Sequence, residues 1–219
     1  MLVFAYGTLM YGLAAHGLLA GSVFAGRGWV EGRLYICDGY PLLVAGEDGR
    51  VWGELYHVSG EAVPRIDHYE GADIPSSPWR PLRVDVNVDG VRVRARAYGL
   101  KSVKEARHLC DELRDVDADD YRVVVGGGPP RWLVAVPEYE AGPPGITLGV
   151  GRGSLRGYSW LGDCFSPDGY EEVNIYDVLA DRSELEEWAR ESGCRLGGVR
   201  VEYNGVEVYP YALLARDEE

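Results

Sequence analysis

The sequence predicts an α+β protein in which strands predominate, with short helices and a diverged second copy of the same order of elements in tandem. Three observations carry this. Apolar residues alternate or cluster in short runs between Gly, Pro, Asp and Asn, as half-buried strands do. Asp89-Gly90 and Asn204-Gly205 each separate two such runs, and both are two-residue hairpin signals in which Asp, Asn and Gly accept positive φ at small cost. A self-comparison superposes Gly26-Arg27-Gly28, Gly32 and Asp38 on Gly151-Arg152-Gly153, Gly157 and Asp163.

In chain order, strands are predicted at residues 2–6, 29–36, 51–57, 82–88 and 91–98, with a short helix at 62–69 where the apolar spacing changes from two to three and four. A helix at 103–113 and a Gly-Gly-Gly-Pro-Pro turn follow. The second half repeats the order, with Tyr176-x-Val178 against Tyr56-x-Val58, a helix at 183–191, and strands at 199–203 and 206–213. Ser183 is the expected N-cap of that helix, with Glu186 completing a capping box. The domains read from this are a first repeat at 1–100, a linking helix and turn at 101–130, and a diverged second repeat at 131–219.

A chain of 219 residues is long enough for one large or two compact domains, at roughly 150 residues per domain. Its net charge of −13 repels a phosphate backbone and an anionic membrane surface, so neither nucleic acid nor membrane is expected as a partner. Residues 1–26 carry no Lys, Arg, Asp or Glu, yet no basic segment precedes Arg27 and five glycines interrupt the stretch. It is therefore read as part of a cytoplasmic folded domain and not as a signal peptide or membrane span. Cys37, Cys110, Cys164 and Cys194 lie far apart with no Cys-x-x-Cys, so no metal site is expected. Buried thiols are the simplest reading, with a disulfide open to a hot-adapted source, toward which the absence of Gln leans.

Two segments could carry chemistry. Phe4-Ala5-Tyr6-Gly7-Thr8-Leu9 is an apolar strand that ends in Gly, where successive amides can turn toward one point and hold an anion. Taken alone it is a strand running into a loop. Ile66-Asp67-His68-Tyr69-Glu70-Gly71 closes the first helix, with Gly71 as its stop and Ile66 and Tyr69 expected to face the core. Glu70 then stands at a helix C-terminus, where the macrodipole disfavours its charge. Taken alone it is a solvated Glu beside a cap. Gly149-Val150-Gly151-Arg152-Gly153 imitates a phosphate loop, but no Lys-Ser/Thr follows and a tight turn is expected.

Together these segments resemble the gamma-glutamylcyclotransferase-like (AIG2-like) superfamily, whose pattern is an N-terminal strand running into Y-G-S/T-L and, some way on, a helix of the form L-D-x-x-E-G. Gly32-Arg33-Leu34-Tyr35 with Tyr40-Pro41, and Gly53-Glu54-Leu55-Tyr56, match intermediate elements, and Trp79-Arg80 stands where that family carries Y-x-R. The resemblance covers residues 1 to about 100.

The resemblance implies a mixed β-barrel fold, duplicated in tandem, and an enzyme that cyclises a small γ-glutamyl compound to 5-oxoproline and frees an amine, with no cofactor and no metal. Glu70 would be the general acid/base, taking a proton from the substrate's α-amine and returning it to the leaving nitrogen. Tyr6, Gly7, Thr8 and Leu9 would hold the substrate's carboxylate or oxyanion, with Arg80 a further contact. The second repeat reads Ala135-Val136-Pro137-Glu138 against Ala5-Tyr6-Gly7-Thr8 and puts Ala189 or Arg190 against Glu70, so it lacks the acid/base. A non-catalytic ligand-binding or protein-interaction module that keeps the pocket is the alternative.

Overall fold

The computed structural model describes residues 1–216. Contacts divide the chain into two compact units, the first made of Met1–Phe24, Gly28–Asn87 and Arg92–Gly128, the second of Ala25–Arg27, Val88–Val91 and the chain from Pro129.

The first unit is built on β1 (Leu2–Ala5), β2 (Val23–Cys37), β3 (Tyr40–His57), β4 (Arg80–Val88), β5 (Val91–Leu100) and β6 (Leu113–Asp115). The sheet order is β1-β3-β5-β4-β2-β6, and a further pairing of β3 with β2 closes it into a barrel. β1 is antiparallel to β3, with Ala5 opposite Glu54, and parallel to β5. The sheet is therefore mixed, as expected. Gly53 permits this register, because a Cβ there would collide with the Ala5 carbonyl. Val3, Leu42, Leu43, Leu55 and Ile66 are fully buried in the unit's core. Among the described residues a 3-10 turn at His16–Leu19 and three short α-helices complete it: α1 (Val63–Tyr69), α2 (Val103–Leu109) and α3 (Tyr121–Val125).

The second unit carries β7 (Arg131–Pro137), β8 (Ile146–Leu161), β9 (Cys164–Leu179), α4 (Arg182–Glu191), β10 (Arg195–Gly198), β11 (Val201–Tyr203), β12 (Val206–Val208) and β13 (Tyr211–Leu214). Its seven strands run β10-β13-β7-β9-β8-β11-β12. β7 is antiparallel to β9 and parallel to β13, and β9 is itself parallel to β13. β1, β3 and β5 are related in the same way, since β3 is parallel to β5. The pairing scheme thus recurs in the element order that a tandem duplication leaves. Both hairpin signals are realised, with φ of 45° and 99° at Asp89 and Gly90 and of 48° and 78° at Asn204 and Gly205.

Several expectations are corrected. The helix predicted at 103–113 ends at Leu109: Cys110 is extended and Leu113–Asp115 pairs instead with Tyr35–Cys37. The Asp38 carboxylate fixes that change of course by accepting from the Asp111 and Glu112 amides at 3.3 and 2.7 Å. The cap of α4 is Asp181, not Ser183; its amide donates to Glu184 at 2.7 Å, and Glu186 pairs with Arg182. Residues 149–153 form no turn but run inside β8, where a Cβ on Gly151 or Gly153 would press into Tyr203 or Val201 at 2.5 Å.

The cysteines are not thiols. Cys37 bonds Cys110 and Cys164 bonds Cys194, closing 73 and 30 residues of chain respectively. Among the described residues Cys37, Asp38 and Cys110 form the cluster with metal-ligating side chains, and its two sulfurs are joined to each other. Among the described residues no helix is long and apolar enough to cross a membrane.

Candidate active site

β1 ends at Ala5 and the chain turns at once, with the Met10 amide donating to the Gly7 carbonyl at 3.0 Å. Gly7 is required here by proximity: a Cβ would sit 2.6 Å from Pro41 Cγ. Tyr6 fastens the start of the bend, since its hydroxyl donates to the Tyr98 carbonyl at 2.7 Å and accepts from the Leu43 amide at 3.0 Å. The phenol is thereby occupied by the barrel backbone, while Tyr6 also lines the cleft. Among the described residues, the amides of Gly7, Thr8 and Leu9 have no hydrogen-bond partner.

The far side of the bend rests on a buried ion pair that sequence reading passed over. Glu54 is fully buried and Arg122, on α3, is nearly so. Glu54 Oε1 accepts from Arg122 Nη2 at 2.8 Å, while Oε2 accepts from the Tyr11 amide at 2.7 Å and from the Tyr56 hydroxyl at 2.6 Å. Arg122 also donates to the Tyr11 carbonyl. A buried carboxylate is tolerable when it is paired and both its oxygens accept hydrogen bonds, as here. The pair therefore pins the loop that follows Tyr6-Gly7-Thr8-Leu9.

α1 delivers the second segment. Its end is a Schellman stop, with the Ala72 amide donating to the Asp67 carbonyl, the Gly71 amide to that of His68, and Gly71 at φ 67°. Glu70 is the last residue before that stop. Asp67 ties the helix to β5: its Oδ1 accepts from Arg96 Nη2 at 2.6 Å and from the Tyr98 hydroxyl at 2.5 Å. Tyr69 does not face the core with Ile66. It is exposed at the cleft mouth, where its hydroxyl meets Thr8 Oγ1 at 2.9 Å and joins the two segments directly.

The result is a cleft of about 450 Å³ walled by Phe4 through Leu9 on one side and by His68 through Gly71 on the other. Glu70, Tyr6, Gly7, Thr8 and Leu9 all line it. Burial pushes the Glu70 carboxyl up to about 7, the cause being desolvation. The Tyr6 phenol is raised by its own burial first and by the Glu70 charge second, against the Leu43 amide, which places the two in electrostatic contact. Arg80 is not brought into the cleft. Its guanidinium pairs with Glu105 at 2.5 Å and donates to the Pro75 carbonyl at 3.3 Å. Tyr98, Pro41 and Trp79 line the cleft without having been singled out for it by sequence.

An acid poised near neutrality beside a bend of open amides can move a proton at a carbonyl under attack. The family described as gamma-glutamyl cyclotransferase, AIG2-like, matches residues 3–123. The chain belongs to that family. Among curated relatives of this cyclotransferase-family chain, the Bos taurus gamma-glutamylaminecyclotransferase is 31% identical over 102 residues, 41% of this chain; the match spans 58% of the bovine protein. Among solved structures, an AIG2-like protein from Mus musculus superposes with TM-score 0.42 at 23% identity, over 54% of this chain and 97% of its own. YkqA from Bacillus subtilis superposes with TM-score 0.45 at 19% identity, over 100% of this chain and 85% of its own.

Proposed function

We propose that the cleft cyclises a γ-glutamyl amine or peptide to 5-oxoproline, with Glu70 as general acid/base. The single observation that carries this reading is that one cleft is lined by both the Tyr6–Leu9 bend and a Glu70 carboxyl raised to about 7. The substrate's α-amine nitrogen bonds to its own γ-carbonyl carbon, and the carbon–nitrogen bond to the leaving amine breaks. Glu70 takes the proton released by the attacking nitrogen and gives it to the departing one, so no water is consumed. Nucleophile and electrophile share one molecule, and much of the acceleration is the cost of folding it into the reactive conformer, met by binding.

The amides of Gly7, Thr8 and Leu9 hold the substrate carboxylate or the developing oxyanion, with the Tyr6 ring as a wall. No residue of the second unit is assigned a catalytic part, because Ala189 and Arg190, which stand against Glu70 in the repeat, offer no carboxylate.

The test is incubation of the purified protein with γ-glutamyl amines and dipeptides, following 5-oxoproline by mass spectrometry. The expected result is release by the wild type and a fall of roughly 10²–10⁴-fold in Glu70→Gln, with substrate binding retained. Binding without turnover in the wild type would assign the cleft to a non-catalytic binding module.

A further inference from the structure

Three donors behind the bend decide where its amides point. The Gly7 carbonyl accepts from the Met10 amide at 3.0 Å, the Thr8 carbonyl accepts from the Ala15 amide at 2.9 Å, and the Leu9 carbonyl lies 2.9 Å from His16 Nδ1. A carbonyl can only accept, so the His16 proton in this bond sits on Nδ1. Met10, Ala15 and His16 do not line the cleft, so all three bonds are made outside it. Among the described residues no peptide bond is cis, and in a trans peptide the C=O and the N–H that follows it point in opposite directions. Holding the Gly7 and Thr8 carbonyls from behind therefore turns the Thr8 and Leu9 amides toward the cleft that both residues line.

Of these three donors His16 alone acts through its side chain, and it begins a relay. Its N–H polarises the Leu9–Met10 peptide, the N–H of that peptide donates to the Gly7 carbonyl, and the Gly7–Thr8 peptide ends in the open Thr8 amide. Bonds linked in this way strengthen one another by roughly 10–30% each. The imidazole is itself held in place. It opens the 3-10 turn His16–Leu19 and packs against the rings of Tyr11 and Tyr56, with centroids 5.3 and 5.8 Å away. Both of those residues donate to Glu54 Oε2, Tyr11 through its amide and Tyr56 through its hydroxyl. The buried Glu54–Arg122 pair thus steadies the two rings that steady the imidazole.

Resting on the cyclotransferase reading, we propose that His16 is a positioning residue for the cyclisation: without touching substrate, it holds and polarises the Thr8 amide toward the oxyanion that forms on the γ-carbonyl. That charge is absent from the bound ground state, so loss of the His16 bond should appear in kcat and not in KM. Three variants separate the bond from the packing. His16→Phe keeps a ring against Tyr11 and Tyr56 and removes the donor; His16→Asn keeps an N–H close to the Nδ1 position and removes the ring. His16→Leu, a donorless replacement of about the size of Asn, supplies the same comparison if the Phe variant does not fold. With γ-glutamylethylamine and γ-glutamylalanine as substrates, the donorless variants are expected to lose about tenfold or more in kcat with KM within about twofold, part of what removing an oxyanion donor outright costs. His16→Asn is expected to stay within about threefold of wild type. Wild-type kcat in the donorless variants, a loss confined to KM, or a His16→Asn no better than His16→Leu overturns the role of His16 and leaves the cyclotransferase reading standing. Absence of 5-oxoproline from the wild type with both substrates overturns both.

Discussion

At Glu70 the desolvation on which the proposed proton transfer rests also acts against the folded state. The carboxyl moves from its ordinary 4.5 to about 7, so the native protein binds this proton more tightly than the unfolded chain does. The stability it contributes is complete below about 4.5 and is lost as pH rises through about 7. Glu70→Gln keeps the shape without the charge, and is expected to be more stable than wild type at pH 8 by about 1–3 kcal/mol and equal to it near pH 4. Urea unfolding at the two pH values checks this; parallel curves for the two proteins would contradict it. Because the base must be ionised, kcat/KM is expected to climb with pH and level off above about 7. A profile already flat from pH 5 would mean that another group moves the proton.

At the level of elements, the bend is only as firm as the ion pair beneath it. Replacing one member, Arg122→Met or Glu54→Leu, leaves the other charge buried and is expected to cost about 3–5 kcal/mol by chemical denaturation. The double replacement should recover much of that loss, and a fully additive cycle would show that the pairing carries none of it. Local signals made α1, its stop at Gly71 and both hairpins legible in the sequence, because each is dictated within a few residues. Tyr6–Leu9 and Glu70 were legible as separate motifs for the same reason. The ion pair was not, since its members stand 68 positions apart and meet only when α3 reaches β3. β2 and β3 were read as fragments because Gly26, Gly32, Gly46 and Gly49, all at positive φ, interrupt the apolar alternation without ending the strand. Asp67 was legible as part of a motif but not as the tether of α1, which depends on Arg96 arriving from β5.

For the whole molecule, the two cystines are the feature furthest from the sequence reading, since which thiols meet depends on the finished fold. Each joins the tip of a long hairpin to the chain just after a helix: Cys37 at the end of β2 to Cys110 after α2, and Cys164 at the start of β9 to Cys194 after α4. Each cross-link is expected to stabilise by about 2–4 kcal/mol, the first somewhat more because it closes the longer loop. Thermal unfolding of Cys37→Ser/Cys110→Ser and of Cys164→Ser/Cys194→Ser, beside the oxidised wild type, measures each in turn. An unchanged midpoint in either pair would show that its bond is not formed in solution. Tyr35, Leu42, Val44 and Trp79 pack around the first cystine, so its loss should also loosen the indole side of the cleft.

Arg122 sits near the end of the stretch that the family shares, on a helix that has no part in the barrel's strands. Anyone trimming this protein to a smaller fragment would be drawn to cut near residue 100, where β5 ends. That cut would discard the guanidinium and strand an anion in the interior beneath the Tyr6–Leu9 bend. The smallest piece worth expressing therefore runs past α3.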